Sequence, residues 1–393
     1  MSSINNHLTI AMGNLTPQTF LAQYWQKKPI LLRQGFCAFS DLISADELAG
    51  LAEEQAVESR LIYKQNQQFK AQSGPFERYD HLGEADWSLI VQAADNFAPQ
   101  LRPLIEAFNF LPDWRRDDVM ISFATPGGSV GPHIDNYDTF ICQGSGSRHW
   151  RVGDRGHHEQ YSADEALLHV KPFEAIIDVE LQSGDILYIP PGYPHEGYAL
   201  SASMSFSVGY RTSSAKETLS ALADHLIDHD QANQLLTDPY RLPSKAPALV
   251  DNTDLALIKQ HLLSVLNDDT LLARFSGCQL SQPKHTLDAP EAPFECTEQE
   301  LLELLEQQPL YRLAGLRCHY FEQTLNAGFF YVNGEECQVD PQLKNTIINL
   351  CDHQQLTAQL LHEGLQDPKF VTLLLEFVAQ GCWYFVGEDE EEE

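Results

Sequence analysis

Residues 119–152 read VMISFATPGGSVGPHIDNYDTFICQGSGSRHWRV, and this stretch decides the architecture. Short apolar runs at Val119–Phe123, Thr139–Gln143 and Arg148–Val152 are cut by Gly/Pro turns at Thr125–Gly128 and Gly144–Gly146. Ile176–Leu181, Ile186–Ile189 and Ala202–Tyr210 continue the same pattern. Short strands with such punctuation predict a double-sheet roll or barrel.

Within that stretch, Gly131–Asp138 is G-P-H-I-D-N-Y-D, and Pro190–Gly197 is P-P-G-Y-P-H-E-G. Residues two apart in an extended strand point the same way. His133 and Asp135 therefore share a face, and Pro132 restricts the chain just before them. His195 follows a second Pro/Gly turn and must arrive from a neighbouring strand. Two imidazoles and a carboxylate form the facial set that holds Fe(II) and leaves the opposite face open. Zinc hydrolases also use such sets, but with a nearby carboxylate base. Glu196 is adjacent in sequence and points off the metal face if its strand continues. His157, His158 and Glu159 read as an exposed loop cluster, and His149 as facing away from Arg148.

Arg148 narrows the choice. Its period-two partners, Trp150 and Val152, suit an inward face, so the guanidinium is expected inside. A buried Arg needs an anion, and it binds carboxylates through paired hydrogen bonds. No acidic partner is evident on the neighbouring strands. A dicarboxylic co-substrate supplies one, with its distal carboxylate on Arg148 and its 2-oxo acid end on the metal. A structural salt bridge is the competing reading. Ser122 is placed to add a hydroxyl to the same carboxylate. Ser203, Ser205 and Ser207 share one strand face, which is either cavity lining or a polar exterior.

Outside the roll, Thr16-Pro17 marks a helix start. Phe20, Leu21, Tyr24 and Trp25 fall on one face of that helix, and Lys28-Pro29 ends it. Ile30–Arg33 reads as a strand and 41–56 as a helix. After Ser213 the period becomes helical: Leu219, Leu222, Leu226, then Leu255, Ile258, Leu262, Leu263 and Leu266, running to about Phe275. A Pro-containing loop, 238–248, interrupts the pattern, and a polar linker, 282–293, follows it. Thr297 and Glu300 form a capping box. Asn333-Gly334 between β-prone flanks signals a hairpin. Helices at 356–361 and 369–379 and a strand at 382–386 complete a winged-helix-like pattern. It lacks a basic recognition helix, so a scaffold or dimer-contact role is expected rather than nucleic-acid binding. The division is 1–212, 213–282 (the expected homodimerisation helices), 283–387, and an acidic tail, 388–393.

The 393 residues carry 25 basic and 56 acidic side chains, a net charge of −31. Such a surface repels nucleic acid and anionic membranes and attracts basic partners, or simply confers solubility. The 8 cysteines are scattered without a C-x-x-C pair, which fits a reducing cytoplasm. No N-terminal basic region precedes an apolar run, and no apolar run approaches the ~20 residues of a membrane span.

With these residues in view, the chain resembles the JmjC-type 2-oxoglutarate oxygenases, and most closely the bacterial ribosomal oxygenases of their cupin-like branch. The carrying stretches are FLAQYWQKKPILLR (20–33), SFATPGGSVGPHIDNYD (122–138), GSRHWRVG (146–153), GDILYIPPGYPH (184–195) and SFSVGYR (205–211). The resemblance implies an α+β chain: a double-stranded β-helix, a helical dimerisation segment and a winged helix. It places the iron ligands on His133, Asp135 and His195, the 2-oxoglutarate cation on Arg148 and a further co-substrate contact on Ser122. It makes O2 the oxidant and implies hydroxylation of an arginine β-carbon in large-subunit ribosomal protein sixteen, a basic substrate. Human relatives carry Lys at the position of Arg148 and act on histidines. Tyr137, Asp138 and Asp118 then become expected contacts for the target guanidinium. A lysine demethylase, a small-molecule hydroxylase and a non-enzymatic acidic binder of ribosomal proteins are the alternatives on the same residues.

Overall fold

The structure, a computed structural model, describes residues 8–244, 246–288 and 296–386. The acidic tail at 388–393 and part of the 282–293 linker lie outside them. The chain divides into two units. One runs to Thr212 and also takes in Lys284–Asp288; the other holds Ser213–Pro283 and the rest of the C-terminal chain.

In the first unit the strands are β1 (Ile30–Leu32), β2 (Ser59–Gln65), β3 (Gln68–Ser73), β4 (Trp87–Val91), β5 (Arg116–Ala124), β6 (His133–Ile134) and β7 (Asp138–Gln143). They continue as β8 (Arg148–Gly153), β9 (Gln160–Asp164), β10 (Leu167–Val170), β11 (Ala175–Leu181), β12 (Ile186–Ile189), β13 (Pro194–Ala199) and β14 (Ser203–Tyr210). They build an 8-stranded sheet, β1-β12-β7-β14-β5-β4-β2-β3, and a 4-stranded sheet, β11-β8-β13-β6. From β5 to β8 and again from β11 to β14, successive strands pass between the two sheets, as in a double-stranded β-helix. β9 and β10 form a separate hairpin.

Strand β12 shows why the roll holds together. All four of its residues are buried. Ile186 and Tyr188 enter the large core under the N-terminal helix, while Leu187 and Ile189 join Ile141, Trp150, Val152 and Leu181 between the two sheets. Period-two alternation thus feeds two cores at once.

The helix Pro17–Gln23 starts where the sequence predicts. Thr16 accepts from Thr19 N at 3.1 Å, and Pro17 occupies the first turn. Phe20 is fully buried and meets Tyr24, Trp25, Phe110, Phe140 and Tyr188 in ring contacts. The next helix is shorter than expected, Ala45–Leu51 rather than 41–56. Its true cap is Ser44, in a capping box with Glu47. Asp41 is employed elsewhere, accepting from Ser145 N at 2.8 Å. The sequence reading passed over β2, β3 and β4. The β2–β3 hairpin carries mostly polar residues beyond Tyr63, because only part of one face packs, whereas β4 is a short strand buried throughout.

The second unit has helices Ala215–Asp228, Asn252–Leu266 and Asp269–Ser281, the last running past Phe275. Arg274 from this third helix pairs with Glu336 of the hairpin Phe329–Val332/Glu335–Gln338. Asn333 and Gly334 at the turn both have positive φ, 53° and 86°. Helix Glu298–Gln307 starts at the predicted Thr297–Glu300 capping box, and Pro368–Ala379 falls on the helix expected at 369–379, capped by Asp367. The expected helix at 356–361 is absent. Gln355–Leu356 is a strand paired with Leu310–Tyr311, and the helix is Lys344–Asp352 instead. The Leu spacing at 356–361 reflects a turn that buries Leu356 and Leu361. The closing strand is only Trp383–Tyr384.

Phe20→Ala is expected to lower stability by about 3–5 kcal/mol, the usual cost of emptying a fully buried aromatic site. Chemical denaturation of the isolated variant measures it. A loss under about 1 kcal/mol would mean that the N-terminal helix is not part of the cooperative core.

Candidate metal centre and co-substrate cavity

Strands β13 and β6 pair antiparallel with His195 directly opposite His133. The two rings come to 4.2 Å between centroids. Asp135 follows two residues after His133, with Oδ1 3.8 Å from His133 Nε2 and Oδ2 3.5 Å from His195 Nε2. One ligand atom from each of the three lies within 4.8 Å of the others. Both imidazoles are set by the same device. Nδ1 of His133 donates to Gly131 O at 2.9 Å, and Nδ1 of His195 donates to Tyr193 O at 3.0 Å. Each Nε2 lone pair is thereby aimed at the shared centre, as metal-binding histidines require. Gly131 is required here: its φ is +83°, and a Cβ would come within 2.2 Å of the His169 ring.

Burial opposes ionisation of Asp135, but the two imidazoles and Tyr137 outweigh it and hold the carboxyl down at about 2. Burial, helped by His195, pushes the His133 imidazole down. Burial acts the same way on His195, but its bond to Asp135 prevails and raises it. The donor set is an anion and two imidazoles poised at Nε2, and it fits a divalent metal.

Arg148 lies on β8, across the roll. Its guanidinium is buried and reaches from the small sheet to the large one. Nε donates to Ser203 Oγ at 3.0 Å, Nη1 to Ser122 Oγ at 2.8 Å, and Nη2 to Ser122 O at 2.9 Å and Ser203 O at 3.1 Å. Every described partner is neutral. Burial lowers the pKa only to about 10, so the group stays charged near neutrality. A buried charge held only by neutral acceptors is incompletely compensated.

A cavity of about 330 Å³ joins Arg148 to the triad. Thr139 and Ile141 of β7 and Ser205 and Ser207 of β14 line it, which resolves the serine face as cavity wall. Ser203 is committed to Arg148. Trp150 covers the stretch between Arg148 and His195. It lies flat because Gly197 is opposite in register, where a Cβ would come within 2.6 Å of the indole. That glycine, two residues after His195, was a readable sign of an inward position without a side chain.

The remaining candidates divide. Tyr137 and Asp118 line the cavity. Asp118 Oδ2 accepts from Gln92 Nε2 at 2.6 Å and Ala93 N at 2.9 Å. Burial raises its pKa to about 6; the Ala93 N–H opposes this, Asp95 and Asp117 add to it, and His285 opposes it. Asp138 does not line the cavity. Its carboxylate accepts from Tyr188 Oη at 2.5 Å and Gln26 Nε2 at 3.0 Å, beneath the N-terminal helix. Strand parity is the reason: Asp138 shares a face with Phe140, whereas the cavity face carries Thr139 and Ile141. Glu196 is paired with Arg151 at 2.5 Å, so it supplies no base. His149 bonds Asp178 and stacks on Tyr198. Glu58, Arg60 and Gln92 at the mouth escaped the sequence reading because β2 and β4 did. Leu167, Leu168 and His169 were missed with the β9–β10 hairpin.

The JmjC domain model matches residues 103–218, and the ROXA-like winged-helix model matches 264–384, starting inside the helical segment. A ribosomal protein uL16 3-hydroxylase of Escherichia coli (strain K12) is 43% identical over 94% of this chain and 97% of its own. The chain belongs to the ribosomal oxygenases of the JmjC family. This oxygenase is also 29% identical to a probable ribosomal oxygenase of Haemophilus influenzae, over 82% of each chain. The solved structure of YcfD, a ribosomal oxygenase from Escherichia coli, in complex with cobalt and 2-oxoglutarate aligns with TM-score 0.87. The identity there is 41%, covering 97% of this oxygenase and 100% of that chain.

Proposed function

We propose that this ribosomal oxygenase is an Fe(II)- and 2-oxoglutarate-dependent hydroxylase of an arginine β-carbon in ribosomal protein uL16. The observation that carries the reading is Arg148: a buried cation with neutral partners, facing the cavity that the His133–Asp135–His195 triad closes. A dicarboxylate whose far end meets Arg148 compensates that charge, and its 2-oxo acid end then reaches the triad. The names and ligands of the Escherichia coli relatives support the same reading.

When bound, the iron would supply the place at which O2, the oxidant, is activated, with 2-oxoglutarate oxidised to succinate and CO2 as the C–H bond is hydroxylated. The chain does the rest. His133, Asp135 and His195 hold the metal on one face. Ser122 and Ser203 orient Arg148. Trp150 and Ile141 keep water from the reacting region, which preserves geometry and field. At the mouth, the Asp118 carboxylate receives the target guanidinium and the Tyr137 ring flanks it. The −31 net charge draws a Lys/Arg-rich substrate toward that mouth.

The chain acts as a homodimer through its helical segment. Helix Asn252–Leu266 has no buried residue, and it exposes Leu255, Ile258, Leu262 and Leu266. The helix Lys344–Asp352 carries one Lys and one Asp, which supports a role other than nucleic-acid binding. No described helix is long and apolar enough to cross a membrane. A ribosomal substrate suits the cytoplasm.

Incubation of uL16 with the native chain, Fe(II) and 2-oxoglutarate is expected to release succinate and add ~16 Da to one arginine peptide, and His133→Ala to abolish both. Succinate release without the mass shift would move the reading to another substrate. Neither signal would leave an acidic binding protein. Arg148→Ala is expected to weaken 2-oxoglutarate binding by ~3–5 kcal/mol, the cost of removing one half of a buried pair. Titration calorimetry with Co(II) present measures this, and unchanged affinity would remove Arg148 from the co-substrate site. Leu255→Glu combined with Leu262→Glu is expected to halve the mass seen by light scattering. A mass unaffected by the pair would place the dimer contact elsewhere.

A further inference from the structure

A short strap, Lys284–Asp288, packs on the oxygenase unit although the chain reaches it only after the helical segment. Asn96 Nδ2 donates to Thr286 O at 2.8 Å. Lys284 Nζ donates to Arg116 O at 3.1 Å and lies 3.2 Å from Asp117 Oδ1. These anchors bring His285 against the acid at the cavity mouth: ligand atoms of Asp117, Asp118 and His285 all lie within 4.8 Å of one another. His285 Nε2 is buried and has no hydrogen-bond partner among the described residues.

We propose that His285, delivered by this strap, is a positioning residue for target recognition: it keeps the Asp118 carboxylate ionised for the substrate's guanidinium. The inference rests on the reading of Asp118 given above. The groups beside Asp118 are Asp95 and Asp117, Tyr137 of the cavity wall, and His285; Lys284 of the strap pairs with Asp117, and Arg60 lines the same cavity. Of the groups that act on Asp118 directly, His285 is the basic one. A carboxyl buried beside two other acids takes up a proton easily, and a protonated carboxyl forms no charge-assisted pair with a guanidinium. Asp118 sits at about 6, so its charge is in play close to neutrality, and the imidazole acts to preserve it. The sign follows. The folded-state pKa lies above the ordinary carboxylate value, so the anion is present above about 6 and is lost as pH falls through it. Loss of His285 moves that point upward.

The test uses the full chain and a uL16 peptide containing the target arginine, with kcat and KM followed between about pH 5 and 8. His285→Ala and His285→Gln are expected to move the acid limb of kcat/KM up by about one unit, which raises the peptide KM about twofold near pH 7 and roughly tenfold near pH 5. The kcat at saturating peptide and the affinity for 2-oxoglutarate, which also reports that each variant is folded, are expected to stay native. His285→Lys restores the KM and the limb. Lys284→Ala, which loosens the strap, shifts both in the direction of His285→Ala. Asp118→Asn raises the KM at every pH and removes the limb. If Asp118→Asn raises the KM while His285→Ala leaves KM and limb native, the strap inference falls and the Asp118 reading stands. If Asp118→Asn leaves the KM native, both fall.

Discussion

The roll is organised around a buried guanidinium that ties one sheet to the other. Arg148 starts on the small sheet, crosses the interior, and donates to both side chain and backbone of Ser122 and Ser203 on the large sheet. Hydrogen bonds to carbonyls inside protein are strong because water does not compete. They hold the sheets at a fixed separation at one end of the cavity. The charge itself remains, with neutral partners only. The same contact that fixes the fold therefore creates demand for an anion at one particular place.

The metal centre solves the converse problem. Asp135 brings a negative charge into the interior, and two imidazoles answer it from adjacent strands. Backbone carbonyls two residues upstream fix both tautomers. Cation at one end and anionic ligand set at the other give the cavity a polarity that matches a 2-oxo dicarboxylic acid bound to a metal. The mouth repeats the theme with acids. Asp118 is buried beside Asp95 and Asp117, and the strap brings His285 and Lys284 against these acids.

Much of this was legible locally. Period two along β7 places Thr139 and Ile141 on the cavity face, and His133, Asp135 and Tyr137 just before it line the cavity as well. The same rule, applied to Asp138, assigns it to the opposite face with Phe140; its adjacency to Tyr137 obscured that parity. Caps at Thr16 and Thr297 and the Asn333-Gly334 turn were readable because each depends on residues three or four apart. The helix at 344–352 was not readable. Its burial pattern depends on which surfaces the small sheets leave open, and a turn-forming leucine pair at 356–361 imitated it.

Sequence by itself determined the chemistry available: which side chains face inward on each strand and which turns deliver them. These follow from alternation and turn stereochemistry, which act over a few residues. Tertiary structure alone decided who meets whom. The register that sets His195 opposite His133 was one such choice. The reach of Arg148 to Ser203, 55 residues away, was another. So was the return of the strap beyond residue 283 to Asp117 and Asp118. The reason is physical: contacts between distant segments are set by sheet register and by the closing of long loops, and neither leaves a periodic trace in the local sequence.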